Sequence, residues 1–122
     1  MRTIKLVAVL MGGLLITFLS MMSNAIAAPV YYSGTGHYYE AIRPGPMTWD
    51  QAKTAAESRS YLGVQGHLAT ITSQGENDFI KNNVPGSADC FLGGFQPAGS
   101  PEPAGGWQWV TGEPWIYTNW LP

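Results

Sequence analysis

Apolar and polar residues alternate with a period of two in several short stretches, which predicts strands at residues 37–42, 66–71 and 107–110. In the last stretch Trp107 and Trp109 stand two residues apart and therefore point to the same face. Glycine and proline residues directly after this stretch interrupt the alternation and predict a turn. Four of the five tryptophans lie in the last eighteen residues. This density indicates a core strand that leads into a structured loop.

A helical period begins at Thr48. Thr48 and Gln51 have the spacing of a capping box, in which each of the two side chains satisfies a backbone amide of the first turn. Small residues then continue one face from Trp49 at helical spacing: Ala52, Ala55 and Ala56. The pattern predicts a helix that ends at about residues 60–62, where a glycine follows. Its small residues would let the helix lie close against a sheet.

A second capping box begins at Ser73, with Glu76 three residues later. We expect the Glu76 carboxylate to reach back to the backbone amide of the N-cap residue. The helix predicted from this start covers residues 74–82 and ends before the next proline. Phe79 and Ile80 are expected to be its buried residues.

The first 27 residues have the three-part order of a secretory signal peptide. A basic start with Arg2 and Lys5 precedes an apolar run at residues 6–19, and small residues follow at 25–27. We expect cleavage after Ala27, so that the mature protein is secreted or extracytoplasmic and has no membrane span. A retained membrane anchor is the alternative, although the apolar run is shorter than the roughly 20 residues of a spanning helix.

Removing 27 of the 122 residues leaves 95, enough for one small domain. Residues 28–35 are predicted as a short lead-in and residues 36–122 as the domain. The formal charge falls from −2 to −4, and the remaining basic residues are scattered: Arg43, Lys53, Arg59 and Lys81. Because phosphate binding needs clustered positive charge, we expect no nucleic-acid partner. Sparse charge with abundant glycine and proline, above all at residues 96–106, favours a loop-rich module.

The reactive side chains show no catalytic arrangement. The acids are spread singly, no serine lies in a nucleophile elbow, and no metalloprotease or phosphate-loop motif occurs. We therefore expect no enzyme and assign no catalytic residue. Cys90 is the single cysteine of the sequence, and an intermolecular disulfide, a reactive thiol and a small buried residue all stay open for it. His37 and His67 are interpreted as structural residues of strands.

Four motifs, in order, resemble the C-type lectin domain family over about residues 36–122. They are Thr-Trp-x-x-Ala at 48–52, Gly-x-Leu-Ala-x-Ile at 66–71 with the capping box that follows, the Gly-Gly strand at 89–95, and Trp-x-Trp to Asn-Trp at 107–120. The resemblance implies an α+β C-type lectin-like fold, with two helices and small antiparallel sheets. It also implies core positions for Phe91 and Leu92, which stand where the family usually has tryptophan and isoleucine.

The resemblance further implies how a sugar could be bound. In sugar-binding members a Ca2+ ion in the long loop binds protein oxygens and two sugar hydroxyls, since Ca2+ accepts roughly six to eight oxygen ligands. Those protein oxygens come from a Glu-Pro-Asn segment and a later Trp-Asn-Asp strand, and this sequence reaches Pro122 before either. We therefore assign no metal ligand and expect the carbohydrate-binding residues beyond Pro122. Calcium is expected as a cofactor only if those segments follow.

Four residues of the matched segments are weighed individually. Glu102 lies near where some family members place an auxiliary calcium ligand, and the alternative is a solvated loop acid. Glu113 and Asn119 are expected to shape the turn and the strand. Trp115 is interpreted either as a core residue or as a ring that stacks on a sugar.

The resemblance also bears on stability. The final strands of the family pair with its amino-terminal strand, so this sequence is interpreted as a domain truncated at its C-terminus. The family's long-range disulfide is absent, because Ala56 stands at one of its cysteine positions. We expect the isolated 28–122 product to be marginally stable, with an open edge on strand 37–42. Two functions stay open: binding of a carbohydrate or glycoconjugate, and adhesion or interaction with a protein surface on the same scaffold.

Overall fold

The computed structural model describes residues 4–7, 28–42 and 45–119 of the chain. Its strands and helices are, in chain order, β1 (Ile4–Val7), β2 (Val30–Tyr32), β3 (His37–Ala41), α1 (Trp49–Glu57), β4 (Ser60–Tyr61), β5 (Val64–Leu68), α2 (Gln74–Asn83), β6 (Gly94–Phe95) and β7 (Gln108–Trp109). The two helices and the small sheets of the described residues confirm the predicted α+β class.

Helix α1 begins where the capping box predicted. Thr48 Oγ1 accepts a hydrogen bond from the Gln51 amide at 3.2 Å, and Gln51 Oε1 accepts one from the Thr48 amide at 2.9 Å. Ala52 and Ala56 are fully buried in one cluster with Leu68 of β5. The small residues of the predicted face therefore do bring the helix close to the sheet.

The end of α1 differs from the prediction. The helix ends at Glu57, before the expected 60–62, and the chain turns into a hairpin of β4 and β5. Leu62 and Gly63 form its turn with φ values of 50° and 77°. A two-residue type I′ hairpin requires positive φ at both positions. The glycine that predicted a helix end is thus the second residue of a hairpin turn.

The larger sheet has the strand order β2-β3-β1-β5-β4. The pairs β2–β3 and β4–β5 are antiparallel, as predicted, whereas β1 lies between β3 and β5 and is parallel to both. Val30–Tyr32, in the segment predicted as a lead-in, forms the edge strand β2. In the whole chain β3 is consequently paired along both edges. The expected open edge applies to a chain from which β1 has been removed.

Strand β1 falls within the predicted signal peptide. The remainder of that peptide, residues 1–3 and 8–27, lies outside the described residues. The cleavage after Ala27 therefore stays a prediction. If it occurs, the centre of the larger sheet loses its strand.

Helix α2 begins at the predicted N-cap, because Ser73 Oγ accepts a hydrogen bond from the Glu76 amide at 3.2 Å. The returning bond differs from the prediction. The carboxylate of the fully buried Glu76 accepts from the amide of Thr72 at 2.7 Å, one residue before the expected partner, and from the Tyr39 hydroxyl at 2.5 Å. Burial, followed by the hydrogen bond to Glu76, raises the pKa of the Tyr39 phenol far above its ordinary value. The helix start is thereby tied to β3.

Strands β6 and β7 form a second, antiparallel sheet. Trp109 is 4% exposed and lies in the main buried cluster, whose other buried members are Tyr39, Ala69, Ile71, Ile80 and Val84. The next residue, Val110, packs against the other cluster, that of Ala52, Ala56 and Leu68. The predicted alternation of faces at 107–110 is therefore confirmed.

The strand predicted at 89–95 is much shorter in the structure. Asp89 has a φ of 62°, and the chain becomes a strand only at Gly94, so an alternation of faces does not apply before that residue. Phe91 is 37% exposed, and its predicted core position is wrong. Leu92 packs against the main buried cluster, as predicted.

Candidate functional site

The loop at residues 96–106 is folded back on itself by Gln96. The Gln96 side-chain nitrogen donates to the Gly105 carbonyl at 2.8 Å and to the Pro103 carbonyl at 3.3 Å. The Gly105 amide in turn donates to the Pro101 carbonyl at 2.8 Å. The segment predicted as an exposed loop is therefore internally hydrogen-bonded.

Three indole rings run from the core to the surface beside this loop. The ring of the buried Trp109 lies 4.2 Å, centroid to centroid, from that of Trp115. Trp107 stacks on the same ring at 5.5 Å with an interplanar angle of 20°. Its ring nitrogen donates to the Pro103 carbonyl at 3.3 Å, which connects the outer indole to the loop. Gly94 lies under Trp115, where an added Cβ would come within 2.9 Å of the ring.

The two outer indoles line a cleft of about 360 Å3 that is open to solvent. We call it the tryptophan cleft; its lining residues are Pro103, Ala104, Trp107, Trp115 and Thr118. Its volume lies in the range of roughly 300–1,000 Å3 that is usual for small-molecule sites. None of the five lining residues carries a charge. The cleft offers aromatic faces, aliphatic groups and one hydroxyl, a combination suited to a neutral ligand with an apolar side.

The two acids weighed as calcium ligands do not come together. Glu102 is exposed in the loop, whereas the half-buried Glu113 accepts hydrogen bonds from the Thr70 and Thr111 hydroxyls and so holds the turn, as predicted. Within the described ranges, no three His, Cys, Asp or Glu side chains form a group that could hold a metal ion. Since Ca2+ takes roughly six to eight oxygen ligands, the described acids do not fit a calcium site.

The remaining candidates lie away from the tryptophan cleft or at its margin. His37 and His67 are half-buried on β3 and β5, where the structural interpretation placed them. Cys90 is half-buried against the main buried cluster, with its sulfur 3.3 Å from the Gly86 carbonyl oxygen, which favours the structural interpretation. Asn119 is exposed and lines a separate small cavity of about 40 Å3.

Sequence reasoning found part of this site. It left Trp115 between core packing and a role in binding, and the structure shows a ring that packs on Trp109 and also lines the cleft. It missed Thr118 and the loop residues of the cleft wall, because their position depends on the hydrogen bonds of Gln96. The tryptophan density next to a proline-rich loop was the signal that could have pointed to them. In the part of the chain that the structure describes, no helix is long and apolar enough to cross a membrane.

No family model and no solved structure matches the chain. Three curated proteins are similar to it in sequence. Halomucin from Haloquadratum walsbyi is 42% identical over 83 residues, which cover 68% of this chain and 1% of halomucin. Lithostathine from Sus scrofa is 34% identical over 92 residues, covering 71% of this chain and 72% of the relative. A snaclec from Deinagkistrodon acutus, one chain of an anticoagulant protein, is 30% identical over 116 residues, covering 89% of this chain and 72% of the relative.

The coverage of the relatives differs widely. The chain spans about half the length of further curated relatives that it matches, 48% and 57% in two of them. Lithostathine and the snaclec are C-type lectin-like domain proteins, and most of the length of each is matched. The four sequence motifs and the α+β fold agree with this relationship. The chain therefore belongs to the C-type lectin-like domain family.

Proposed function

We propose that this chain is an exported carbohydrate-binding module. Its family membership makes it a binding module and confirms the prediction that it is not an enzyme. The observation that carries the carbohydrate proposal is the tryptophan cleft, an uncharged pocket lined by two stacked indoles. The faces of aromatic rings carry negative partial charge, and the C–H groups of a sugar ring are weakly positive. Stacked indoles beside a hydroxyl therefore suit a ligand that is apolar on one side and rich in hydroxyls at its rim.

Export is supported by the signal-peptide pattern of residues 1–27. Calcium enters the proposal only through residues that follow Pro122, because the described acids do not form a ligand set. In a chain that continues into the Glu-Pro-Asn and Trp-Asn-Asp segments of the family, those oxygens would bind Ca2+, which would then hold two sugar hydroxyls. Sugar binding through such a site would require calcium.

Interaction with a protein surface is the second candidate function. Ile116 follows Trp115 directly and is 81% exposed. A large apolar side chain beside an aromatic cleft is a usual feature of protein interfaces. The snaclec relative is, by its name, part of an anticoagulant protein with more than one kind of chain. An adhesion or interaction module would use this same end of the molecule.

Retention on sugar resins distinguishes these functions. The full-length gene is expressed in a secreting host, and the secreted protein is applied to mannose, galactose and β-glucan resins in calcium and in chelator. Retention on at least one resin is expected, and release by chelator would assign it to calcium. Absence of retention on every resin, together with chelator-insensitive binding to a protein that Ile116→Ser abolishes, would contradict the carbohydrate proposal and favour the second function.

A further inference from the structure

We infer that the tryptophan cleft is itself a sugar subsite that needs no metal ion, and that its ligand is a neutral hexopyranose with equatorial hydroxyls, as in a β-linked glucan. This inference rests on the proposed carbohydrate-binding function. It goes further in naming the residues, the class of sugar and the absence of a calcium requirement.

The platform for the sugar is the pair of outer indoles. Trp107 and Trp115 are both half-buried, and their rings are only 20° from parallel. Trp115 is supported from inside by Trp109, whose ring lies 4.2 Å away. A hexopyranose with equatorial hydroxyls has axial C–H groups on both of its faces. One such face can lie on the indole platform while the hydroxyls point outward to solvent.

The polar groups of the cleft favour a neutral ligand. Thr118 is exposed at the cleft, and its hydroxyl provides one donor and two acceptor positions for a sugar hydroxyl. No basic side chain is among the lining residues, so a sulfated or carboxylated sugar finds no charge partner there. The exposed Glu102, next to Pro103 in the same loop, repels an anion instead. A buried unpaired charge would also cost free energy.

The cleft is held in shape before any ligand arrives. Gln96 donates to the carbonyls of Pro103 and Gly105, and the ring nitrogen of Trp107 donates to the same Pro103 carbonyl. A preformed site avoids part of the ordering cost of binding. Gln96 is thus a positioning residue: it touches no ligand but fixes the wall against which the outer indole rests.

The test is a titration of the secreted full-length gene product with cellotetraose in chelator, followed by tryptophan fluorescence and calorimetry. Wild type is expected to bind saturably. Trp107→Ala and Trp107→Leu should each lower the affinity about tenfold or more, because leucine keeps apolar bulk but has no aromatic face. Trp107→Phe should keep the affinity within about threefold. The control Tyr31→Ala removes an exposed aromatic residue that does not line the cleft and should change nothing.

Thr118→Val keeps the shape of an exposed side chain and should lower the affinity about threefold or more by removing the hydroxyl. This variant keeps the test decisive if the Trp107 variants do not fold, which far-ultraviolet circular dichroism would reveal. Binding that requires calcium, equal binding of a heparin fragment, or unchanged binding in Trp107→Leu and Thr118→Val would each overturn the inference. In those cases retention on a sugar resin would leave the proposed function standing; without any such retention both would fail.

Discussion

Cleavage after Ala27 would remove β1 from the middle of the larger sheet. Strand β1 is paired with β3 at four positions and with β5 at three. Its loss leaves the inner edges of both neighbours without a partner and divides the sheet into the pairs β2–β3 and β4–β5. We therefore predict that the 28–122 product is much less stable than the uncleaved chain.

The register of β1 gives the magnitude. A strand paired on both sides makes about one backbone hydrogen bond for each paired position, and each contributes about 1 kcal/mol net. The four and three positions of the two ladders therefore represent roughly 7 kcal/mol. Small domains have a total free energy of unfolding of about 5–15 kcal/mol. Removal of β1 thus takes away a large part of the stability of this chain.

The assay is urea denaturation followed by far-ultraviolet circular dichroism, with binding of a hydrophobic dye as a second measurement. The uncleaved chain, preserved by Ala27→Asp at the predicted cleavage site, is compared with the 28–122 product. The product should show a lower midpoint or no cooperative transition, and it should bind the dye. Leu6→Pro in the uncleaved chain should cause a loss in the same direction, because proline removes a ladder donor inside β1.

A sharp transition of the 28–122 product at the same midpoint, without dye binding, would refute this reasoning. Ladder bonds of β1 would then add nothing to the folded state. Unchanged stability of the Leu6→Pro variant would lead to the same conclusion for the uncleaved chain.

Three further predictions concern single side chains, and urea denaturation checks each. Thr48→Ala removes the cap of α1 and should lower the free energy of unfolding by about 1 kcal/mol, whereas Thr54→Ala on the same helix should change it by less than about 0.5 kcal/mol. Glu76→Ala leaves the Tyr39 hydroxyl without its buried acceptor and should cost about 3 kcal/mol or more, while the exposed Asp78→Ala should be nearly neutral. Because burial raises the pKa of the Tyr39 phenol in the folded chain, only the unfolded chain releases this proton above about pH 10. Stability should therefore be complete below that pH and fall above it, by up to about 1.4 kcal/mol per pH unit, and Tyr39→Phe should remove this slope.

Local sequence signals located the helix starts well. Thr48 with Gln51 and Ser73 with Glu76 act within one turn of helix, so their spacing alone determines which amides they satisfy. The same holds for Trp107 and Trp109, since alternation in an extended segment follows from backbone geometry.

Features that depend on backbone conformation or on distant residues were predicted less well. Leu62 adopts a positive φ in the hairpin turn, which its residue type does not indicate. Phe91 is exposed because Asp89 bends the chain before the strand begins. The bond between Glu76 and Tyr39 joins residues 37 positions apart in the sequence, and no local pattern contains it.

The candidate site shows the same division. The tryptophans could be recognised in the sequence, and their relation to a sugar could be proposed for Trp115. The cleft itself requires the loop that Gln96 folds back and the close approach of Gly94 to the indole ring. Both are tertiary contacts, and they determine which ring faces solvent and which lies in the core.

The central claim is that the tryptophan cleft binds a neutral sugar by stacking, and saturation-transfer difference NMR measures this contact directly. The secreted wild-type protein is mixed with cellotetraose in chelator, and saturation is applied to the aromatic protons. The prediction is strong transfer to the axial C–H hydrogens of one sugar face, lost in Trp107→Leu and retained in Tyr31→Ala. No transfer in the folded wild-type protein, or transfer that persists in Trp107→Leu, would contradict the claim.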